Sequence, residues 1–269
     1  MIATRPSAVV RRLVVRRLVA AALTAAALAA PASAQVARAT ARANIGVQWL
    51  GHAAFEITSP GGTTILIDPF LSANPSTPDS LKRLARYKPD AILVSHSHDD
   101  HALDAKAISQ LSPTTKVISV YEWINSKGFP ASQALGGNVG GTFKVGDVTV
   151  HLVPAMHSSD PGGRPLGFVL EFADHRTLYH TGDTWLFGDM DLIQEFFHPN
   201  IILIGVGGGP FTMDPRMAQM AINRYFKPQA VVPMHYGTFE GLATATDVRV
   251  RFAGDRRVTV MTPGQKLYF

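Results

Sequence analysis

Short apolar runs alternate with turn-forming residues along most of the chain, and this pattern predicts strands. The first two strands are joined by Ser59-Pro60-Gly61-Gly62, whose proline and glycines favour a tight reversal of the chain. The predicted strands are 45–57, 63–68, 91–95, 116–120, 142–145, 148–154, 167–172, 177–180, 201–205, 230–233 and 258–261.

Helices are predicted between several of these strands. They are 81–87, 103–111, 190–197, a helix from Asp214-Pro215 to 227, and 247–252. Strand pairs come early in each half, and strands that alternate with helices follow. This order predicts an α/β fold in one domain, with two packed sheets and helices outside. Two hypotheses stay open for the glycine-rich stretch 128–141, which contains Phe129 and follows Trp123. It forms either a mobile lid or an irregular surface connection.

Residues 1–34 have the composition of a secretory signal peptide. Five arginines and no acidic residue precede the apolar stretch 18–30, and Pro31-Ala32-Ser33-Ala34 ends in a small-residue cleavage pattern. A membrane span needs about 18 apolar residues, so we expect cleavage after Ala34 and no stable membrane anchor afterwards. The mature protein is then periplasmic or secreted. It would begin with a disordered leader at 35–44, followed by the folded domain at 45–269.

The charge balance and the cysteine content limit the partners and the metal ligands that we expect for this chain. The chain has 25 basic and 20 acidic residues, and five of the basic ones lie in 1–34, so the remainder is balanced at 20 each. This balance argues against a nucleic-acid partner. The expected partner is a small-molecule substrate. The chain has no cysteine, so any metal must be held by nitrogen and oxygen atoms alone. The sequence does not predict the oligomeric state.

The densest chemistry is His96-Ser97-His98-Asp99-Asp100-His101, directly after the strand 91–95. Three imidazoles and two carboxylates in one turn are unusual in a solvated loop, because crowded histidines repel one another when protonated. Neutral imidazole nitrogen and carboxylate oxygen are ligands that zinc and similar ions take. The segment therefore predicts a metal site.

Four other predicted strands each end in one histidine or aspartate. These residues are Asp68, His157, Asp183 and His235. Loops at strand ends are where scaffolds usually place their chemistry. We therefore expect these side chains to join the histidine-rich segment in one site.

The order of these residues resembles the metallo-β-lactamase superfamily. Its motif is matched by His96-x-His98-x-Asp100-His101, with His157, Asp183 and His235 following in order. Shorter segments are similar to a branch of metal-dependent hydrolases related to the ascorbate-phosphate lactonases, and N-acylphosphatidylethanolamine phospholipase D enzymes share some of them. They are Trp49-Leu50-Gly51-His52, Asp68-Pro69-Phe70-Leu71, Gly208-Gly209-Pro210-Phe211-Thr212-Met213 and Pro233-Met234-His235-Tyr236.

The resemblance implies an αββα sandwich, the metallo-β-lactamase fold, with two divalent metal ions at one sheet edge. It gives His96, His98 and His157 to the first ion, gives Asp100, His101 and His235 to the second, and makes Asp183 the bridge. Zinc suits these ligands, with manganese or iron as alternatives. A hydroxide shared by the ions would be the nucleophile, with Asp100 as the catalytic residue that orients it. Asp68 would fix ligand rings by hydrogen bonds.

The resemblance leaves alternatives for function and for two residues. Ester or lactone cleavage is the first hypothesis, and phosphodiester cleavage at a lipid head group is the second. The third is a periplasmic metal-binding protein without turnover. His52 would either lie near the pocket or be satisfied by local backbone, and Tyr236 would either bind substrate or pack against other aromatic rings.

Overall fold

The computed structural model describes residues 44–159 and 161–269, and two β-sheets form its frame. The strands of the first sheet are β1 Gly46–Gly51, β2 Ala54–Thr58, β3 Thr64–Ile67, β4 Ala91–Leu93, β5 Lys116–Val120, β6 Ala134–Gly137 and β13 Lys266–Tyr268. They lie in the order β13-β1-β2-β3-β4-β5-β6. Strands β3 to β6 pair in parallel, and the others pair antiparallel.

The second sheet has six strands in the described residues. They are β7 Thr142–Val145, β8 Val148–Pro154, β9 Leu166–Phe172, β10 Thr177–His180, β11 Ile201–Gly205 and β12 Ala230–Met234. Their order is β12-β11-β10-β9-β8-β7. Strands β10, β11 and β12 are parallel, and β8 runs the same way because it is two antiparallel steps from β10.

The helices of the described residues follow individual strands. They are α1 Asp99–Ala102, α2 Ala105–Leu111, α3 Tyr121–Lys127, α4 Met190–Phe197, α5 Pro215–Tyr225 and α6 Ala245–Arg251. Each longer helix buries one apolar face, such as Ile108 on α2 and Ile222 on α5. The Asp214 carboxylate accepts a hydrogen bond from Met217 N and so caps α5, the helix that was predicted to begin at Asp214-Pro215.

The two sheets pack face to face. Phe55 of β2 contacts the His180 ring of β10, with centroids 5.8 Å apart, and His180 Nε2 lies 3.0 Å from the carbonyl oxygen of Ala53. The side chains between the sheets are almost entirely apolar and fully buried. The predicted α/β sandwich with helices outside is therefore confirmed.

The predicted strand 45–57 is two strands rather than one. Gly51 and His52 have φ of 111° and 53°, and these left-handed conformations reverse the chain between β1 and β2. The predicted helix 81–87 is also wrong. Two separate 3-10 turns at 79–81 and 84–86 replace it, because the extended backbone of Arg83 stands between them.

The last predicted strand also differs from the structure, and the glycine-rich stretch contains a strand that was not predicted. Within 258–261 only Val258 forms a bridge, to Val231, and the last strand is β13. Within the stretch 128–141 only 134–137 form a strand, β6, which pairs with β5, so most of the stretch is an irregular connection as the second hypothesis states. The lid hypothesis gains no support from Trp123, which is buried in the core.

The predicted signal peptide and nearly all of the predicted leader lie outside the described residues. None of the helices in 44–159 and 161–269 is long and apolar enough to cross a membrane.

Candidate metal centre

Strand direction explains how distant residues reach one place. Strands β1, β3 and β4 share a direction in the first sheet, as do β8, β10 and β12 in the second. Their carboxyl ends therefore open onto one edge, which we call the site edge. The loops there carry His52, Asp68, His96, His98, Asp100, His101, His157, Asp183 and His235.

Three imidazoles form the first cluster. His96 Nε2 and His98 Nδ1 face each other at 2.9 Å, and the ring of His157 lies 5.0 Å from that of His96 and 5.2 Å from that of His98. One nitrogen of each ring lies within 4.8 Å of the others, so the three can hold one ion. His96 is buried, whereas His98 and His157 are partly exposed.

The second cluster surrounds the carboxylate of Asp100. Its Oδ2 lies 3.1 Å from His52 Nε2, 3.9 Å from His235 Nε2 and 4.0 Å from His101 Nε2. These four side chains also offer ligand atoms within 4.8 Å of one another. Three of them were predicted to share an ion, and His52 joins them in the structure.

Asp183 faces both clusters. Its Oδ2 lies 3.0 Å from His235 Nε2, 3.3 Å from His101 Nε2 and 3.7 Å from His157 Nε2. The first two histidines belong to the second cluster and the third belongs to the first. The position fits the bridging role that the resemblance implied for this carboxylate.

Asp68 holds the surrounding loop and one ligand ring. Its Oδ1 accepts a hydrogen bond from Ser95 N at 2.7 Å, and its Oδ2 accepts one from Ser95 Oγ at 2.7 Å. The same Oδ2 lies 2.8 Å from His101 Nδ1. This contact fixes the ring plane and leaves Nε2 of His101 turned toward Asp183. Such carboxylate–histidine pairs are the usual support of metal-binding imidazoles.

The protonation states suit a cation. Burial lowers the pKa of His96 well below its ordinary value and also lowers the pKa of His157. Burial opposes the charged form of Asp183, but His235 and His101 outweigh it and hold its pKa well below the ordinary value. Neutral imidazoles and ionised carboxylates are the forms that bind metal.

His101 behaves differently from the other histidines. Burial disfavours its charged form, but Asp183 and Asp68 on either side outweigh burial and raise its pKa well above the ordinary value. A cation bound at Nε2 would favour the neutral ring instead.

Backbone conformation also marks the site. In the described ranges, five residues other than glycine have a left-handed φ, and three lie here: His52 at 53°, Asp68 at 46° and His235 at 61°. Such conformations cost of order 1 kcal/mol or more and persist only where the surroundings enforce them. The concentration of strain at one edge indicates function.

Unpartnered polar atoms show that the donor set fits a metal. Seven buried side-chain atoms of the described residues lack a hydrogen-bond partner, and five of them belong to this site. They are His52 Nδ1, His101 Nε2, Asp183 Oδ1, His235 Nδ1 and His235 Nε2. Native proteins rarely leave buried polar atoms without partners. Divalent ions would satisfy the inward-facing atoms, and the set of nitrogen and oxygen ligands suits them.

Comparison with known proteins agrees with this geometry. Residues 46–235 match the family model of the β-lactamase superfamily domain. The chain belongs to the metallo-β-lactamase superfamily.

Relatives within the superfamily specify the class of activity. A UPF0173 metal-dependent hydrolase of Myxococcus xanthus is 44% identical over 240 residues, which cover 84% of this chain and 84% of that protein. One from Anaeromyxobacter dehalogenans is 42% identical over 245 residues, covering 85% and 88%. The structure of Igni18, a metallo hydrolase from Ignicoccus hospitalis, matches with a TM-score of 0.74 at 34% identity, covering 84% and 98%. The protein is a metal-dependent hydrolase of this superfamily.

The sequence left open whether His52 lies near the pocket or is satisfied by local backbone, and the structure places its ring beside Asp100. His52 lies fully buried behind Asp100, and its ring centroid lies 3.8 Å from that of His235, with the two ring planes tilted by 42°. Burial lowers its pKa to about 4. Its backbone carbonyl accepts hydrogen bonds from Trp49 Nε1 and His235 N. The available signal was its position after Gly51, since it too directly follows an apolar strand.

Tyr236 does not line the cavity above the clusters, and of the two alternatives for this residue the packing against other aromatic rings is confirmed. Its hydroxyl donates to the carbonyl oxygen of Met261 at 2.8 Å, and its ring packs 5.0 Å from that of Trp49. The left-handed φ of His235 turns the next side chain into the core.

A cavity of about 610 Å³ opens above the hydrolase's two clusters. His98, Asp100, His157, Asp183 and His235 form its floor. The opposite side is formed by Pro210, Phe211, Phe239, Glu240 and Leu242. The loop after β11, which contains the segment 208–213 of the family resemblance, therefore lines the pocket. The volume suits a small-molecule substrate.

Proposed function

We propose that this hydrolase is exported and uses two divalent ions to cleave a carboxylic ester or lactone. The observation that carries the proposal is the position of Asp183, whose Oδ2 faces histidines of both clusters within 3.7 Å. A carboxylate shared between two ligand sets is what a pair of ions about 3.5–4 Å apart requires. Export rests on the signal-like residues 1–34.

The reaction adds water across the acyl C–O bond and gives a carboxylic acid and an alcohol. When bound, the two ions would lower the pKa of a water molecule and offset the charge that develops on the carbonyl oxygen. Asp100 lies on the cavity floor with 30% of its side chain exposed. Its Oδ2 lies 3.1 Å from His52 Nε2, and the carboxylate can orient the attacking water by accepting a hydrogen bond from it. No serine or cysteine nucleophile is needed.

Cavity chemistry favours a neutral carbonyl substrate over a phosphodiester. Neither lysine nor arginine occurs among the described residues that line the cavity, whereas phosphate sites usually contain such side chains. One observation favours the phosphodiester alternative. Arg164 lines a depression that adjoins the cavity at His157. Parallel assays of a lactone, a nitrophenyl ester and bis(4-nitrophenyl) phosphate separate the two alternatives.

Zinc is the proposed metal, since an all-nitrogen and oxygen site suits it, with manganese and iron as alternatives. The test is hydrolysis by the protein loaded with each metal. We expect His98→Ala to abolish turnover, and His151→Ala to retain it, because His151 faces Glu171 instead of the clusters. Full turnover by His98→Ala would contradict the proposal. Metal binding without turnover of any substrate class would favour the non-catalytic alternative.

A further inference from the structure

The side of the cavity opposite the metal ligands has its own chemistry. We call Phe211, Phe239 and Glu240 the aromatic wall. Phe211 lies in the loop between β11 and α5, and the other two lie in the loop between β12 and α6. The second loop begins at His235, so the wall is connected directly to the second cluster.

The two loops of the wall are fastened to each other. Ala243 N of the second loop donates to Gly207 O of the first at 2.8 Å, and within the second loop Gly237 N donates to Ala243 O at 2.9 Å. Gly209 approaches the other loop so closely that a Cβ there would lie 2.9 Å from Gly241 O. The wall therefore has a defined position over the ligands.

Both phenylalanines are open to solvent. Phe211 is 60% exposed and Phe239 is 44% exposed. The Phe239 ring is supported from behind, with its centroid 5.4 Å from that of His52 and 6.2 Å from that of Phe70. Two exposed rings beside a metal site gain by removing apolar surface from water when a substrate covers them.

The charge of the wall is negative. Glu240 is exposed on its rim, and neither lysine nor arginine is among the described residues of the lining. Ions bound on the floor would offset the charges of Asp100 and Asp183, whereas the Glu240 carboxylate lies across the cavity and belongs to neither cluster. An anionic group at the wall would meet this carboxylate in a partly desolvated cleft, where like charges repel.

We infer that the acyl arm of the substrate is apolar and carries no negative charge, and that it lies against the aromatic wall. The inference rests on the proposed function, since the metal centre sets where the ester carbonyl lies. Phe211 and Phe239 contact the arm, and Glu240 discriminates against carboxylate-bearing arms.

A matched set of 4-nitrophenyl esters tests this inference on the zinc-loaded full chain. The acyl groups are acetyl, 3-phenylpropanoyl, 4-(trimethylammonio)butanoyl and glutaryl, and the leaving group is the same in all four. We expect kcat/KM for the phenylpropanoyl ester to exceed that for acetate about tenfold. We expect glutarate to be the poorest of the three longer esters.

Variants of the aromatic wall show which residues cause the preference among acyl groups. Phe211→Ala and Phe239→Ala should each lower the ratio of phenylpropanoyl to acetyl kcat/KM about fivefold. Phe196→Ala, at a 72% exposed phenylalanine of α4 outside this cavity, should leave the ratio unchanged. Glu240→Gln should raise kcat/KM for glutarate about threefold relative to phenylpropanoate. A wild-type preference for glutarate, or equal loss on all esters in the phenylalanine variants, would overturn the inference.

Failure of the proposed function can be distinguished from failure of this inference. If the metal-loaded protein cleaves no ester or lactone, the proposed function has failed. The arm preference is then measured by calorimetric titration of the same protein with 3-phenylpropanoate and glutarate. Tighter binding of phenylpropanoate, weakened by Phe239→Ala, supports the inference. Equal binding, or tighter binding of glutarate, overturns it.

Discussion

Asp183 and Asp147 lie at opposite ends of the sandwich and show two uses of a carboxylate. Asp147, in the turn between β7 and β8, accepts hydrogen bonds from Ser59 Oγ at 2.6 Å, from Thr63 Oγ1 and from Gly61 N at 2.9 Å. Both of its oxygens are satisfied by protein donors. Asp183 Oδ1 has no partner, and its Oδ2 faces three imidazole nitrogens.

The difference separates stability from function. A carboxylate satisfied by hydroxyl and amide donors ties two turns together and needs no ion. A buried carboxylate surrounded by imidazoles is a poor stabilising element, since burying charge is expensive. The arrangement at Asp183 is explained by what it can bind. Four substitutions test this contrast.

The largest effect is expected for Asp183→Asn. An amide cannot supply the anionic oxygen that both clusters share, so we expect kcat/KM to fall about 10³-fold, or about 4 kcal/mol in activation free energy. Bound metal should fall with it, as measured by elemental mass spectrometry. Asp191→Asn, at an exposed position on α4, is the control. Normal turnover by Asp183→Asn would remove this residue from the centre.

Asp68→Asn should act mainly on the second cluster, since Asp68 contacts His101 directly and reaches His96 only through Ser95 Oγ. The substitution weakens the contact that orients His101, so we expect affinity for the more weakly held ion to fall about 10–100-fold. Competition with a coloured chelator measures this affinity. Asp90→Asn is the matched control, because Asp90 accepts from Thr64 N at 2.8 Å, at the start rather than the end of β3. Equal loss in both variants would make Asp68 a general structural residue.

Replacing His52 should lower catalysis more than metal binding. His52→Ala removes the nitrogen 3.1 Å from Asp100 Oδ2, and we expect kcat/KM to fall about tenfold with metal content retained. His52→Asn is the backbone control, since asparagine tolerates a left-handed φ. If both variants lost one equivalent of metal, the residue would be a ligand, whereas loss in His52→Ala alone would be an effect of the backbone.

The smallest effect is expected for Asp147→Asn, at the opposite end of the sandwich, and it concerns the free energy of unfolding. Burial opposes the charge of Asp147, but hydrogen bonds from Ser59 and Thr63 outweigh it and lower the pKa. Asp147→Asn should lower the free energy of unfolding by about 1 kcal/mol, because solvent screens this partly exposed turn. Turnover should not change.

The effect at Asp147 should also depend on pH. A depressed pKa stabilises the fold above the unfolded value of about 3.9, and this contribution is lost as pH falls through the folded value. The wild type and Asp147→Asn should therefore converge in acid, as measured by urea unfolding at several pH values. If the two proteins kept a constant difference in the free energy of unfolding down to the folded pKa of Asp147, the ionised carboxylate would not be the cause of the stabilisation.

Much of this fold could be predicted because its signals are local. The strands 142–145, 148–154 and 177–180 and the helix 190–197 match the structure residue for residue. Their apolar runs are bounded by clear turn residues. The seven proposed ligands were found because each follows a strand end, and parallel strands bring such ends together.

The missed features depend on distant parts of the chain. The three residues of β13 carry little pattern of their own and become a strand only by pairing with β1. Apolar residues run on through Ala53-Ala54, so the reversal at His52 was hidden. His52 meets Asp100 only because β1 and β4 end at the same edge, across 48 positions of sequence.

Metal content tests the central claim most directly. The protein would be purified without added metal and measured by elemental mass spectrometry against protein concentration. We predict about two equivalents of zinc, manganese or iron per chain, one for each cluster beside Asp183. A folded protein that contains none and takes up none on titration would contradict the account.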